Sequence, residues 1–113
     1  IDSLEMNSSH INNIISKCQE CLSNKIVITH GTDRMVSTAK ALTKAQINNK
    51  TIILTGAMIP YEFGSSSDGF FNLGCALSYV QTLQSGVYIT MQGQYFKWDE
   101  VIKNSKKGFF EKI

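Results

Sequence analysis

The 113-residue chain has little net charge, with 11 Lys and Arg against 9 Asp and Glu leaving +2. That balance is too small and too scattered for a nucleic-acid surface, and the one basic cluster, Lys103, Lys106 and Lys107, reads as a solvated face. No apolar run approaches the ~20 residues that a spanning helix requires, so no membrane role is expected. Cysteine is scarce and odd in number. Cys18 and Cys21 form a CxxC, but with no second ligand pair they read, like Cys75, as reduced core or surface thiols rather than a zinc or redox site. Reduced thiols fit a reducing compartment, and a cytoplasmic location is expected. Repeats, linkers and low-complexity stretches are missing as well. What is present is 42% hydrophobic and only 18% charged residues, enough for one packed domain over residues 1–113 and too apolar for disorder. The sequence opens at Ile1 and runs straight into patterned residues, so the expectation is part of a longer chain, with any targeting signal upstream and out of view.

Three segments carry helical periodicity. After Asn7-Ser8-Ser9, Ile11, Ile14, Ile15, Cys18 and Leu22 recur at helical spacing. After Asp33, Met35, Ala39 and Leu42 repeat the pattern as far as Asn48-Asn49. After Asp68, Phe71, Leu73, Ala76, Leu77 and Val80 form a third stripe that stops near Ser85-Gly86. Between and after these lie "KIVIT" (25–29), "TIILT" (51–55) and "VYITM" (87–91), continuous apolar runs rich in β-branched residues. Continuous runs suit strands covered on both faces. The order α-β-α-β-α-β predicts a doubly wound α/β fold of the Rossmann or flavodoxin kind, a three-layer sandwich with a mainly parallel sheet and right-handed crossovers.

In such sheets ligands bind beyond the carboxyl ends of the strands. Three strand ends meet that edge, at Thr29-His30-Gly31-Thr32-Asp33, Thr55-Gly56-Ala57-Met58 and Met91-Gln92-Gly93, each with a glycine that permits a tight turn or close approach. Taken alone, Asp33 reads as a helix cap and His30 as a satisfied core histidine. A hydroxyl beside a carboxylate at a ligand edge also suits acyl transfer, provided a base lies near. Lys97, Lys103, Lys106 and Lys107 could supply one, and apolar Val101 and Ile102 favour Lys103, though only weakly. Metal hydrolysis is disfavoured because His30, Asp33 and Asp68 lack ligand spacing, and no GxGxxG or GxxxxGKS follows a strand. A phosphoacceptor receiver domain is the fairer rival: Asp33, Thr55 and Lys103 mimic its trio, yet its acidic pair at the first strand is not visible.

The motifs "VITHGTDRM", "KTIILTGAMIP", "SDGFFNLGCAL" and "GVYITMQGQYFKWDEVIKN", preceded by "DSLEM" at Asp2 to Met6, resemble the bacterial-type L-asparaginase family. The similarity is greatest to its short single-domain asparaginase-like members, and it spans essentially the whole chain. The resemblance implies an amidohydrolase that converts the side-chain amide of asparagine, or a related small amide, to the acid and ammonia, with no metal or cofactor. It implies catalytic roles for Thr32, Asp33 and Lys103, with Lys103 tuning the Thr32 hydroxyl and Asp33 orienting Lys103. It further implies substrate contacts from Ser3, Gly31, Thr32, Asp33 and Ala57, and a homo-oligomer whose partner is a small-molecule amide rather than nucleic acid or membrane. Thr32, Asp33 and Lys103 are then expected within hydrogen-bond reach or one water apart; a Lys103 in solvent more than ~10 Å away would contradict this.

Two departures stand out. The family's Gly-Gly-Thr segment, which carries its primary nucleophile on a first strand, would lie ahead of Ile1; the chain alone is expected to be inactive and to present an unpaired sheet edge. Arg34 also stands where the family usually has a second Thr. The contrasting expectation is a non-catalytic asparaginase-like fold that binds an amino acid or a partner protein.

Overall fold

A computed structural model describes residues 8–59 and 67–113. The chain runs α1 (Ser8–Glu20), β1 (Lys25–Thr29), α2 (Met35–Lys44), β2 (Thr51–Thr55), α3 (Gly69–Thr82), β3 (Gly86–Met91), β4 (Gln94–Phe96), a single 3-10 turn (Trp98–Glu100), β5 (Val101–Asn104) and β6 (Phe109–Lys112). The three expected helices and three expected strands are present, in an α/β sandwich. Strands β1, β2 and β3 pair in parallel, in register from Lys25↔Thr51 and from Thr51↔Gly86. β4 then folds back antiparallel on β3, and among the described residues β5 pairs only with β6, as a separate hairpin.

Alternation along the strands sorts the core into two layers. Ile52, Leu54, Ile89 and Met91 face α1 and α2, meeting Cys18, Met35, Ala39 and Leu42, together with Phe96, Val101 and Phe110. Ile53 and Tyr88 face the opposite way, onto Ala76 and Val80 of α3. The two crossovers thus lie on opposite faces, although both step in the same direction through the order β1-β2-β3. A right-handed crossover keeps its helix on one face for a given direction of step. One of the two is therefore left-handed, which overturns the expectation that both are right-handed.

Smaller departures have local causes. α1 stops at Glu20, where the Lys50 ammonium collects the carbonyls of Cys18 (2.6 Å) and Cys21, and Leu22 is left fully exposed. α2 ends at Lys44, short of Asn48-Asn49, because Gln46 turns to a φ of 53°. On α3 the buried positions are Gly69, Asn72, Ala76 and Val80, while Phe71 and Leu77 are exposed.

Candidate functional site

The alternating faces position the site. The segment after β1 leaves toward the α2 layer, whereas β2 leads to a helix on the opposite layer. Neighbouring strands whose connections part this way open a crevice at their carboxyl ends, as at the switch point of an open α/β sheet. The backbone is tight there. His30 N–H donates to the Thr55 carbonyl at 2.8 Å, continuing the β1–β2 ladder. A Cβ on Gly56 would lie 2.2 Å from the His30 carbonyl oxygen, so only glycine fits.

His30 anchors this turn. Its Nδ1 lies 2.6 Å from the Gly31 carbonyl, which can only accept, so Nδ1 carries a proton. Its Nε2 lies 2.9 Å from the buried Thr38 hydroxyl. Burial lowers its pKa below the ordinary 6.5, partly countered by the bond to Gly31. The ring is half-buried with both nitrogens hydrogen-bonded, which makes it a structural anchor.

Thr32 and Asp33 follow directly. Arg34 occupies the N-cap position of α2 and offers no side-chain cap bond, so the helix-cap reading of Asp33 gives way to another partner. Lys103, on β5, reaches across from the hairpin with Nζ 2.8 Å from Thr32 Oγ1 and 2.7 Å from Asp33 Oδ1. The lysine side chain is only 17% exposed and the aspartate 40%, so the ion pair is partly shielded. Lys106 and Lys107, grouped with Lys103 in the sequence, remain exposed in the turn between β5 and β6.

The second strand end is fixed by residues that sequence patterning passed over. Asp68 precedes α3 without capping it; instead its carboxylate accepts the amides of Met58 (3.2 Å) and Ile59 (3.0 Å), holding the loop that carries Ala57. The buried Asn72 donates to the Gly56 carbonyl (2.8 Å) and to Asp68 (3.0 Å), while its Oδ1 accepts the Gln92 amide (3.2 Å). A buried asparagine inside an apolar stripe was the available signal, because buried polar groups are held by partners. Ala57 and Gly31 are half-buried at their strand ends, and Ser3 lies outside the described residues.

Thr55, the third element of the receiver-like trio, donates its hydroxyl to the Thr90 carbonyl at 2.7 Å inside the sheet, away from Lys103. Cys18, Cys21 and Cys75 are free thiols, and burial raises the pKa of Cys18. Among the described residues no group of three or more His, Cys, Asp or Glu side chains is placed to hold a metal, and no helix is long and apolar enough to cross a membrane.

The sequence model described as "Asparaginase, N-terminal" matches residues 1–110. The chain belongs to the asparaginase family. It is 36% identical over 83 residues to the glutaminase-asparaginase of Acinetobacter glutaminasificans, covering 71% of this chain and 25% of that protein. It is 39% identical over 83 residues to a glutamyl-tRNA(Gln) amidotransferase component of Methanococcus vannielii, covering 74% of this chain and 18% of that one. The asparaginase-family chain thus matches a quarter or less of the length of these curated relatives.

Proposed function

We propose that this asparaginase-family chain serves an amidohydrolase that cleaves the side-chain amide of L-asparagine, or of a related small amide, through Thr32, Asp33 and Lys103. The observation that carries the reading is one ammonium, on Lys103, held by both Thr32 Oγ1 and Asp33 Oδ1 at the strand ends. Threonine is a weak nucleophile at its ordinary pKa and needs a base in contact, and the lysine is in contact. In this reading Lys103 first sheds one proton to solvent, and as the free amine it takes the proton of the attacking oxygen, that of Thr32 or of a water held by it, as that oxygen adds to the amide carbon. The C–N bond then breaks, and the nitrogen leaves with that proton as ammonia; where Thr32 attacks, water completes the cycle by hydrolysing the ester. Asp33 steadies the charged lysine, and the first amides of α2, which have no intrahelical acceptor, favour the negative charge that develops beside them. Gly31, Ala57 and Ser3 would complete the substrate contacts.

The names of both relatives concern amide chemistry, which supports the reaction class and leaves the acceptor open. The proposal has a single domain over residues 1–113 working in the cytoplasm as a homo-oligomer, without metal or cofactor. The edge position of β1, which has one neighbour among the described strands, supports association.

The test is ammonia release from L-asparagine by the protein at its full gene-encoded length. Turnover is expected, with Lys103→Ala lowering it by about 10²-fold or more. Undiminished turnover in that variant would overturn the mechanism. Tight binding of aspartate without any ammonia would favour the non-catalytic alternative.

A further inference from the structure

Lys103 stands on a hairpin that shares no ladder with the four-stranded sheet. Something other than strand pairing must set where its ammonium ends. Its cross-strand partner is Phe110, whose ring is fully buried in the core beside Val101. The main chain of Phe110 does not spend its polar groups on Lys103. Its N–H donates to Gln92 Oε1 at 2.5 Å, and its carbonyl accepts from Gln92 Nε2 at 2.8 Å. The glutamine carboxamide thus does for β6 what one residue of a neighbouring strand would do, offering an acceptor and a donor side by side.

Gln92 is itself held. It follows β3 in the left-handed region, at a φ of 59°, and its N–H donates to Asn72 Oδ1 at 3.2 Å. Asn72 in turn grips the Gly56 carbonyl at the end of β2. The backbone that presents the carboxamide is therefore tied to the end of β2, whose Thr55 carbonyl accepts the His30 amide two residues ahead of Thr32. Holding a rotamer-rich glutamine in a conformation that favours asparagine or glycine has a conformational cost, which two backbone bonds to β6 offset.

We propose that Gln92 is the positioning residue for Lys103. Its carboxamide seats Phe110, and through the Lys103–Phe110 pair it sets the height at which the ammonium meets Thr32 and Asp33. This rests on the reading of Lys103 as the catalytic lysine.

Gln92→Asn tests it. Asparagine suits the left-handed backbone at least as well, but it is one methylene too short to reach Phe110. The Phe110 amide is expected to lose its protection against hydrogen exchange. Acylation of Lys103 by a soluble active ester, read by mass spectrometry against exposed Lys44, should accelerate about fivefold, the size a lost hydrogen bond carries. On an amide substrate kcat should fall about tenfold while KM stays within about twofold, as displacement of the catalytic group requires. Gln92→Met, which keeps the length and removes the hydrogen bonds, should behave likewise. Unchanged Lys103 acylation and Phe110 exchange in a folded variant would overturn the proposal. Loss of the whole fold in both variants would overturn it too, because the glutamine would then support the molecule rather than the lysine. Labelling and exchange need no turnover, so a failed amidohydrolase reading leaves this test standing, and an active enzyme with unmoved labelling removes the positioning role alone.

Discussion

An ammonium has three donors, and Lys103 commits two of them, to Thr32 and Asp33. Groups that act as one unit lose their effect together. Thr32→Val combined with Lys103→Ala should therefore slow amide hydrolysis little more than either change alone, which steady-state kinetics on the three variants would check; additive losses would mean separate roles in binding and chemistry. Gly56 sets a different limit. A methyl there would press on the His30 carbonyl, where neither strand end can move aside freely. Gly56→Ala should cost about 2 kcal/mol or more of stability, within the range for overpacking a rigid site, measured as a lower urea midpoint. At this scale the sequence was legible where chemistry is local. Thr32 and Asp33 stand out because they are adjacent at a strand end, whereas Lys103 was one lysine among four until the family motif singled it out. Asp68 and Gln92 were illegible for a physical reason, and Asn72 offered only its polarity within an apolar stripe: apart from the Asn72–Asp68 bond, their partners lie 9 to 20 residues away in sequence and meet them only in the folded chain.

Elements were legible where hydrophobic pattern dictates them and opaque where tertiary contact does. The three β-branched runs became the three parallel strands, one extended by Gly86. The hairpin and β4 were not anticipated, although Gln92 and Gly93, at φ 59° and 77°, make the two-residue turn that joins β3 to β4. Glutamine is an uncommon residue for that turn, which hid the signal. The apolar stripe read on α3 failed at Phe71 and Leu77 because α3 turns Asn72, Ala76 and Val80 inward, with Tyr79 packed beside the last two, and leaves Phe71 and Leu77 on its outer side. β3 contains one further anomaly. Thr90 Oγ1 is buried with no hydrogen-bond partner among the described residues, though its own carbonyl accepts from Thr55. An unpaired hydroxyl costs roughly 1–3 kcal/mol, so Thr90→Val, which keeps the shape and discards the oxygen, should raise the melting temperature. A lower one would show that the hydroxyl has a partner after all.

For the molecule as a whole, acid sensitivity has an identifiable contributor. The folded chain lowers the pKa of His30 below 6.5 through burial, so the unfolded chain binds the proton more readily. The stabilisation from a neutral His30 is complete above the ordinary histidine value of 6.5 and is lost as pH falls from there through the lower folded value. Urea midpoints should drop between pH 8 and about pH 5, and His30→Gln should flatten that slope. Fold class was legible because α and β segments alternate, but the hand of each crossover was not, since hydrophobicity says that a helix covers a face without saying which.

Thr32 and Lys103 are 71 positions apart, and that separation has a meaning in time as well as space. At about 5–20 residues per second of protein synthesis, the threonine leaves the peptidyl-transferase centre roughly 4–14 s before the lysine is added. During that interval β1, α2 and β2 can gather while the proposed catalytic pair does not yet exist. A ribosome that stalls, or a protease that clips ahead of Val101, would release a chain with Thr32 but without Lys103, so the hydrogen-bonded pair cannot assemble until translation has passed the hairpin.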